Sequence, residues 1–174
     1  MTLDAPFYSQ YDNVTDESWR SKACAVTCLK MGLDFLSSDI PSIDSLIEEG
    51  VSISGYTPHG WSHDSLVFLA HNHGVPSYKE EFRSASDLFK ERLETVGLSK
   101  IIKKLAENRP VLLSVTKPND SFHAILAVGF EGETASPTHI IFHDPDTKDG
   151  GSSFQKMTLP DFLKKWRKLA IFLG

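Results

Sequence analysis

A chain of 174 residues is long enough to bury one sizeable core and too short for two, so the expectation is a single domain over residues 1–174. Its 18 Lys and Arg against 23 Asp and Glu leave a net charge of −5, and basic residues are scattered except for an exposed-looking KKWRK near the end. That balance argues against a nucleic-acid partner, which needs a basic face to neutralise phosphates, and no apolar stretch approaches the roughly 20 residues of a membrane span.

In chain order, the first segment is polar. MTLDAPFYSQ lacks the basic-then-apolar pattern of a secretory signal, and it carries Gln10. From Ala23 to Leu36 the apolar residues Val26, Leu29, Leu33 and Leu36 recur at three- and four-residue spacing, which predicts an amphipathic helix with Cys24 in its first turn. SHDSLVFLAHNHG predicts a second helix, with Ser62 as cap, Trp61 and Leu66 spaced as a hydrophobic staple, and Gly74 closing the far end. Further helices are expected at residues 84–95, with Ser84 and Asp87 as a capping pair, and at residues 99–107.

From Pro110 the pattern changes. PVLLSVT, FHAILAVGF and THIIFHD are short apolar runs bounded by Pro, Asp, Asn and Gly, as in strands. FHAILAVGF is apolar at both alternating positions, which places it centrally in a sheet covered on either side. A short strand at residues 154–157, a helix capped by Thr158 and a final strand at residues 169–173 follow. Helices first and strands later give an α+β fold, the helical part packed on a mainly antiparallel sheet.

Two cysteines are too few for a disulfide framework, and reduced thiols suit the cytoplasm, or an exported protein if a signal has been removed. Cys24, at a helix start, meets the positive end of the macrodipole and unpaired N–H groups, which stabilise a thiolate nucleophile and can hold an oxyanion. Cys28, one turn on, lacks this setting. The alternative is that Cys24 is a small buried core residue.

Seven histidines compete to serve as its base. His123 opens a strand after the polar loop KPNDS, and so belongs at the rim of the sheet. If FHAILAVGF and THIIFHD pair around the loop EGETASP, position 123 falls opposite 144 or 145, within cross-strand reach of Asp144. The alternative is that Asp144-Pro145 merely starts a turn and His123 is a satisfied strand-end residue. His59, His63, His71 and His73 lack acidic or cysteine partners at a familiar zinc spacing, so no metal site and no cofactor are expected. Gln10 can supply a side-chain N–H to an oxyanion hole, although any exposed glutamine would look alike. Trp19, Trp61 and the loop 55–60 are candidates for a substrate cleft, with core packing as the alternative.

Taken in order, APFYSQ, CAVTCLKM, GWSHDSLVFLAHNHGV, RPVLLSV, FHAILAVGF and HDPD resemble the bacteriocin-processing (double-glycine) cysteine peptidases, especially their standalone relatives in the papain-like superfamily. The resemblance spans nearly the whole chain. It implies Cys24 as nucleophile, His123 as general base, Asp144 as the residue that orients it, and Gln10 in the oxyanion hole. Ala25-Val26 stands where that family usually has Gly-Pro, and the stretch between Gln10 and Cys24 is longer than in transporter-fused members. The expected activity is hydrolysis of a peptide or related amide bond in a peptide or protein substrate. The rivals are a transglutaminase-like acyltransferase or amidase on the same scaffold, or a catalytically silent peptide-binding module. Nothing in the sequence specifies an oligomeric state.

Overall fold

The structure, a computed structural model, describes residues 1–148 and 151–174. The predicted nucleophile helix is α2 (Cys24–Leu36), preceded by one turn, α1 (Glu17–Arg20). Val26, Leu29 and Leu33 form its buried face, as the periodicity requires. Helix α3 (Ile43–Ser52), capped by the Ser42 hydroxyl on the Ser45 N–H, was not among the predicted elements. Its buried positions Ile43, Leu46, Ile47 and Gly50 do carry helical spacing, but over less than three turns.

A small hairpin of β1 (Tyr56–Thr57) and β2 (Gly60–Trp61) leads into α4 (His63–Asn72). Ser62 sits at the cap position without a side-chain hydrogen bond, and Gly74 ends the turn at φ +78°. Strand β3 (Ser77–Glu81) was not predicted, because SYKEE is polar and only Ser77 is buried.

The two helices predicted between residues 84 and 107 are one, α5 (Asp87–Ala106), with Ser86 at the cap position instead of Ser84. Gly97, which reads as a break, lies inside the helix. A Cβ there would come within 2.6 Å of both the Phe82 and Trp166 rings, so the missing side chain is required by close packing and not by a turn.

The main sheet has the strand order β3-β8-β4-β5-β6-β7, formed by β3, β4 (Val111–Thr116), β5 (Phe122–Glu133), β6 (Ser136–His143), β7 (Gln155–Thr158) and β8 (Trp166–Leu173). Every pairing is antiparallel. Helix α6 (Leu159–Lys165), capped by Thr158, joins β7 to β8. Strand β5 is internal and buried from His123 to Phe130, as expected of a run apolar at both alternating positions.

Its two faces meet different helices. On one, Gly32 of α2 packs against Leu126 and Leu173. On the other, α5 packs through Gly97 on Phe82, whose ring meets Phe172. Where β4 stops, opposite Ala127, the first residues take over the ladder: Leu3 N–H donates to Val128 and Phe130 N–H to the Met1 carbonyl. Among the described residues, no helix is long and apolar enough to cross a membrane.

The C-terminal KKWRK is exposed only at its start. Lys164 and Lys165 end α6 in solvent, whereas Trp166 is buried, Arg167 and Lys168 are half-buried, and these three open β8 at a register shift against β4. A strand sends consecutive side chains to opposite faces, so charge density along the sequence does not report exposure here.

Candidate active site

Cys24 is the first residue of α2, and Ala23 before it offers no side-chain cap. The leading N–H groups of a helix have no intrahelical acceptor, so an alanine at this position leaves that positive end open. Cys24 is half-buried and lines a cleft of about 220 Å³. Cys28, one turn deeper, is inaccessible, and burial pushes its thiol pKa well up.

His123 is the second residue of β5 and lines the same cleft at 6% exposure. Its Nε2–H donates to Asp144 Oδ1 at 2.6 Å, which leaves Nδ1 as the ring's other polar atom. Burial works against the imidazolium. Hydrogen bonding with Asp144 and Cys24, together with their charges, overcomes it and raises the pKa to about 9.

The contact forms despite a register that differs from the predicted one. Leu126 lies opposite His143 and Ala127 opposite Phe142, one or two residues off, after register shifts at Val128 of β5 and Thr138 of β6. Asp144 lies just past the end of β6, with its N–H donating to the Ser152 carbonyl at 3.1 Å. It also starts a turn, as the alternative reading had it: Oδ1 accepts the Asp146 N–H at 2.9 Å. One carboxylate does both.

Around this pair the loops are fastened together. Asp146 accepts the Tyr11 hydroxyl at 2.7 Å and pairs with Lys117 of the KPNDS loop. Burial would raise the Asp146 pKa, but Lys117 and Tyr11 hold it below the usual range. Gln10 N–H donates to the Pro145 carbonyl at 2.9 Å, joining the N-terminal segment to the Asp144 loop. The Gln10 side chain is buried, and its Oε1 has no hydrogen-bond partner among the described residues. Two residues earlier in the segment, Tyr8 donates to Asp34 of α2 at 2.8 Å. Burial and then that carboxylate push the Tyr8 phenol to about 12.

The rest of the cleft comes from the β1–β2 hairpin, the start of α4 and three strands. Tyr56, His59, Gly60, Trp61 and His63 face Leu112, Ser114, Phe122, Ala124 and Arg167. Trp61 serves both predicted roles: it packs over Gly50, donates Nε1–H to the Lys22 carbonyl at 2.8 Å, and still lines the cleft. Trp19 supports it from behind, against Tyr56. His71 and His73 lie elsewhere, on the Ser77 backbone and on Glu49. Arg167 was missed by sequence reasoning, and no local signal marked it.

The comparison with known families decides the kinship. A model of the Peptidase_C39 like family matches residues 2–170. The chain belongs to this family. The peptidase domain of Streptococcus ComA, a bi-functional ABC transporter involved in a quorum-sensing pathway, superposes with a TM-score of 0.61 at 19% identity, over 88% of this chain and 92% of that one. A double glycine motif protease from an AMS/PCAT transporter, solved with its leader peptide, gives 0.60 at 14% identity, covering 99% and 92%. The Streptococcus mutans ComA peptidase domain with a small-molecule inhibitor gives 0.55 at 15%, covering 97% and 98%. No curated protein matches. At these identities the structural likeness is one of fold. It bears out the α+β papain-like architecture and the resemblance to bacteriocin-processing peptidases, and the family and the fold are those of cysteine peptidases.

Proposed function

We propose that this protein is a cysteine peptidase, acting as one domain, that hydrolyses peptide bonds through Cys24, His123 and Asp144, with Gln10 and the Cys24 N–H as the oxyanion hole. The supporting observation is the buried imidazole bonded to Asp144 through Nε2, in the cleft that Cys24 also lines. That bond fixes the ring's orientation and leaves Nδ1 to serve the thiol. A relative of the same fold crystallised with its leader peptide makes a peptide the natural substrate class.

His123, with its pKa of about 9, already holds the proton at neutral pH, so the Cys24 sulfur attacks as thiolate and bonds to the scissile carbonyl carbon as the carbonyl π pair moves onto oxygen. The oxyanion forms against the open end of α2 and the side-chain N–H of Gln10. His123 then gives its proton to the departing amine as the C–N bond breaks. Water, deprotonated by the same ring, attacks the thioester, and the acid leaves as sulfur departs as thiolate beside the re-formed imidazolium.

The test pairs labelling with turnover. Iodoacetamide at pH 6 is expected to label wild type and Cys28→Ala but not Cys24→Ala. Wild type is expected to cleave members of a synthetic peptide library and to incorporate ¹⁸O from water into the new carboxyl, with cleavage lost in Cys24→Ala and His123→Ala. Cleavage that survives in Cys24→Ala, or products formed only when a labelled amine is supplied, refutes the proposal.

A further inference from the structure

Trp166 turns into the core at 3% exposure, and its neighbour Arg167 turns the other way, into the cleft that holds Cys24 and His123. Its guanidinium is held in place there. Nη1 donates to Ser114 Oγ, itself 4% exposed, at 3.0 Å. Cζ lies 3.4 Å from the centroid of the Phe122 ring. Nε and Nη2 make no hydrogen bond among the described residues.

No counter-ion accompanies this charge among the described residues: Arg167 forms no ion pair there, and Glu81, the acid whose field reaches it, is paired with Arg83 at 2.8 Å. The cleft as a whole shows the same imbalance. Among the described residues its lining includes Lys22, His59, His63, His123 and Arg167 and no Asp or Glu, in a chain with 23 acids against 18 Lys and Arg. A half-buried, immobilised cation without a partner is costly until an anion joins it. A guanidinium with one arm pinned and the others open suits a carboxylate, which it takes through parallel N–H bonds.

We propose that Arg167 is a specificity-determining residue that receives a carboxylate of the substrate, so that the cleft selects peptides carrying negative charge close to the bond broken. This rests on the peptidase reading above. The carboxylate has two chemical sources: an Asp or Glu side chain, or the free C-terminus of a short peptide. The first makes the enzyme cut within acidic segments and the second makes it trim chain ends.

Two variants and two readouts test it. Arg167→Gln removes the charge and keeps a polar group near Ser114, while Arg167→Lys keeps the charge. The first readout needs no turnover: the rate at which Cys24 is alkylated by iodoacetate relative to iodoacetamide, at pH 7 and low salt. That ratio is expected to fall about fivefold or more in Arg167→Gln and to be retained in Arg167→Lys, because an unscreened charge acts across a cleft smaller than a Debye length. The second is cleavage of synthetic octapeptides with Glu or Gln at each position in turn, with free or amidated C-termini. Wild type is expected to cut Glu members about tenfold faster at one fixed distance from the scissile bond, a preference lost in Arg167→Gln. A preference that instead follows the free C-terminus assigns the α-carboxylate as the source. An unchanged alkylation ratio in Arg167→Gln overturns the proposal and leaves the peptidase reading standing. A changed ratio with no peptide cleaved overturns the peptidase reading and leaves the carboxylate site.

Discussion

Replacing Asp144 with Asn keeps an oxygen for the His123 Nε2–H and for the Asp146 N–H, and removes only the charge. Four influences raise the His123 pKa, and Asp144 supplies two of them, including the largest hydrogen bond. Burial opposes them and is greater than any one. Asn leaves a neutral hydrogen bond, about half as strong as one to a charged acceptor, and no Coulombic attraction, so the imidazolium pKa is expected to fall by about one pH unit, or about 1.4 kcal/mol. The assay is an NMR titration of the His123 Cε1–H resonance in wild type and Asp144→Asn, which needs no substrate. A second measure is stability against pH. Because the folded pKa lies above the unfolded one, this group's contribution is complete below pH 6.5 and is lost as pH rises through about 9, amounting to about 3 kcal/mol in wild type. Asp144→Asn is expected to flatten that decline. A His123 midpoint in the variant within half a pH unit of wild type refutes the claim that Asp144 holds the imidazolium in place.

The remaining expectations concern the scaffold. His143 is fully buried, with Nε2–H donating to the Ala5 carbonyl at 3.0 Å and Nδ1 accepting the Phe154 N–H at 3.1 Å, so only the neutral ring satisfies both. Burial lowers its pKa below 6.5; the stability it contributes is present above pH 6.5 and lost on acidification, and the fall in melting temperature between pH 7 and pH 5 is expected to shrink in His143→Gln. Gly97→Ala places a methyl within 2.6 Å of two rings. The overpacking cost of about 1–3 kcal/mol is expected to outweigh the gain in helix propensity of about 1 kcal/mol, seen as a lower denaturation midpoint.

Helix α2 was legible because its signal is local: Val26, Leu29 and Leu33 repeat with the turn of the helix they form. Strand β5 was legible for the same reason, as was His123 at its start. Strand β3 was not. Its SYKEE has no apolar alternation, and it is a strand because β8, nearly a hundred residues later, offers it a free edge. The continuity of α5 through Gly97 was hidden too, since the reason for a glycine there is a pair of distant rings.

At the candidate site the same division holds. Residue types and their order along the chain were sufficient to nominate Cys24, His123, Asp144 and Gln10, because a thiol at a helix start and an imidazole at a strand start are local placements. The contact between His123 and Asp144 was decided by tertiary structure, through bulges that shifted the register and a carboxylate past the end of β6 that could still reach back. Arg167 was decided there entirely. In the sequence it is one cation in a basic run, and only the burial of Trp166 on the opposite face of β8 turns it toward sulfur and imidazole. Periodicity is written along the chain. Which charge faces which cleft depends on how strands from distant parts of the chain pair and which faces they bury.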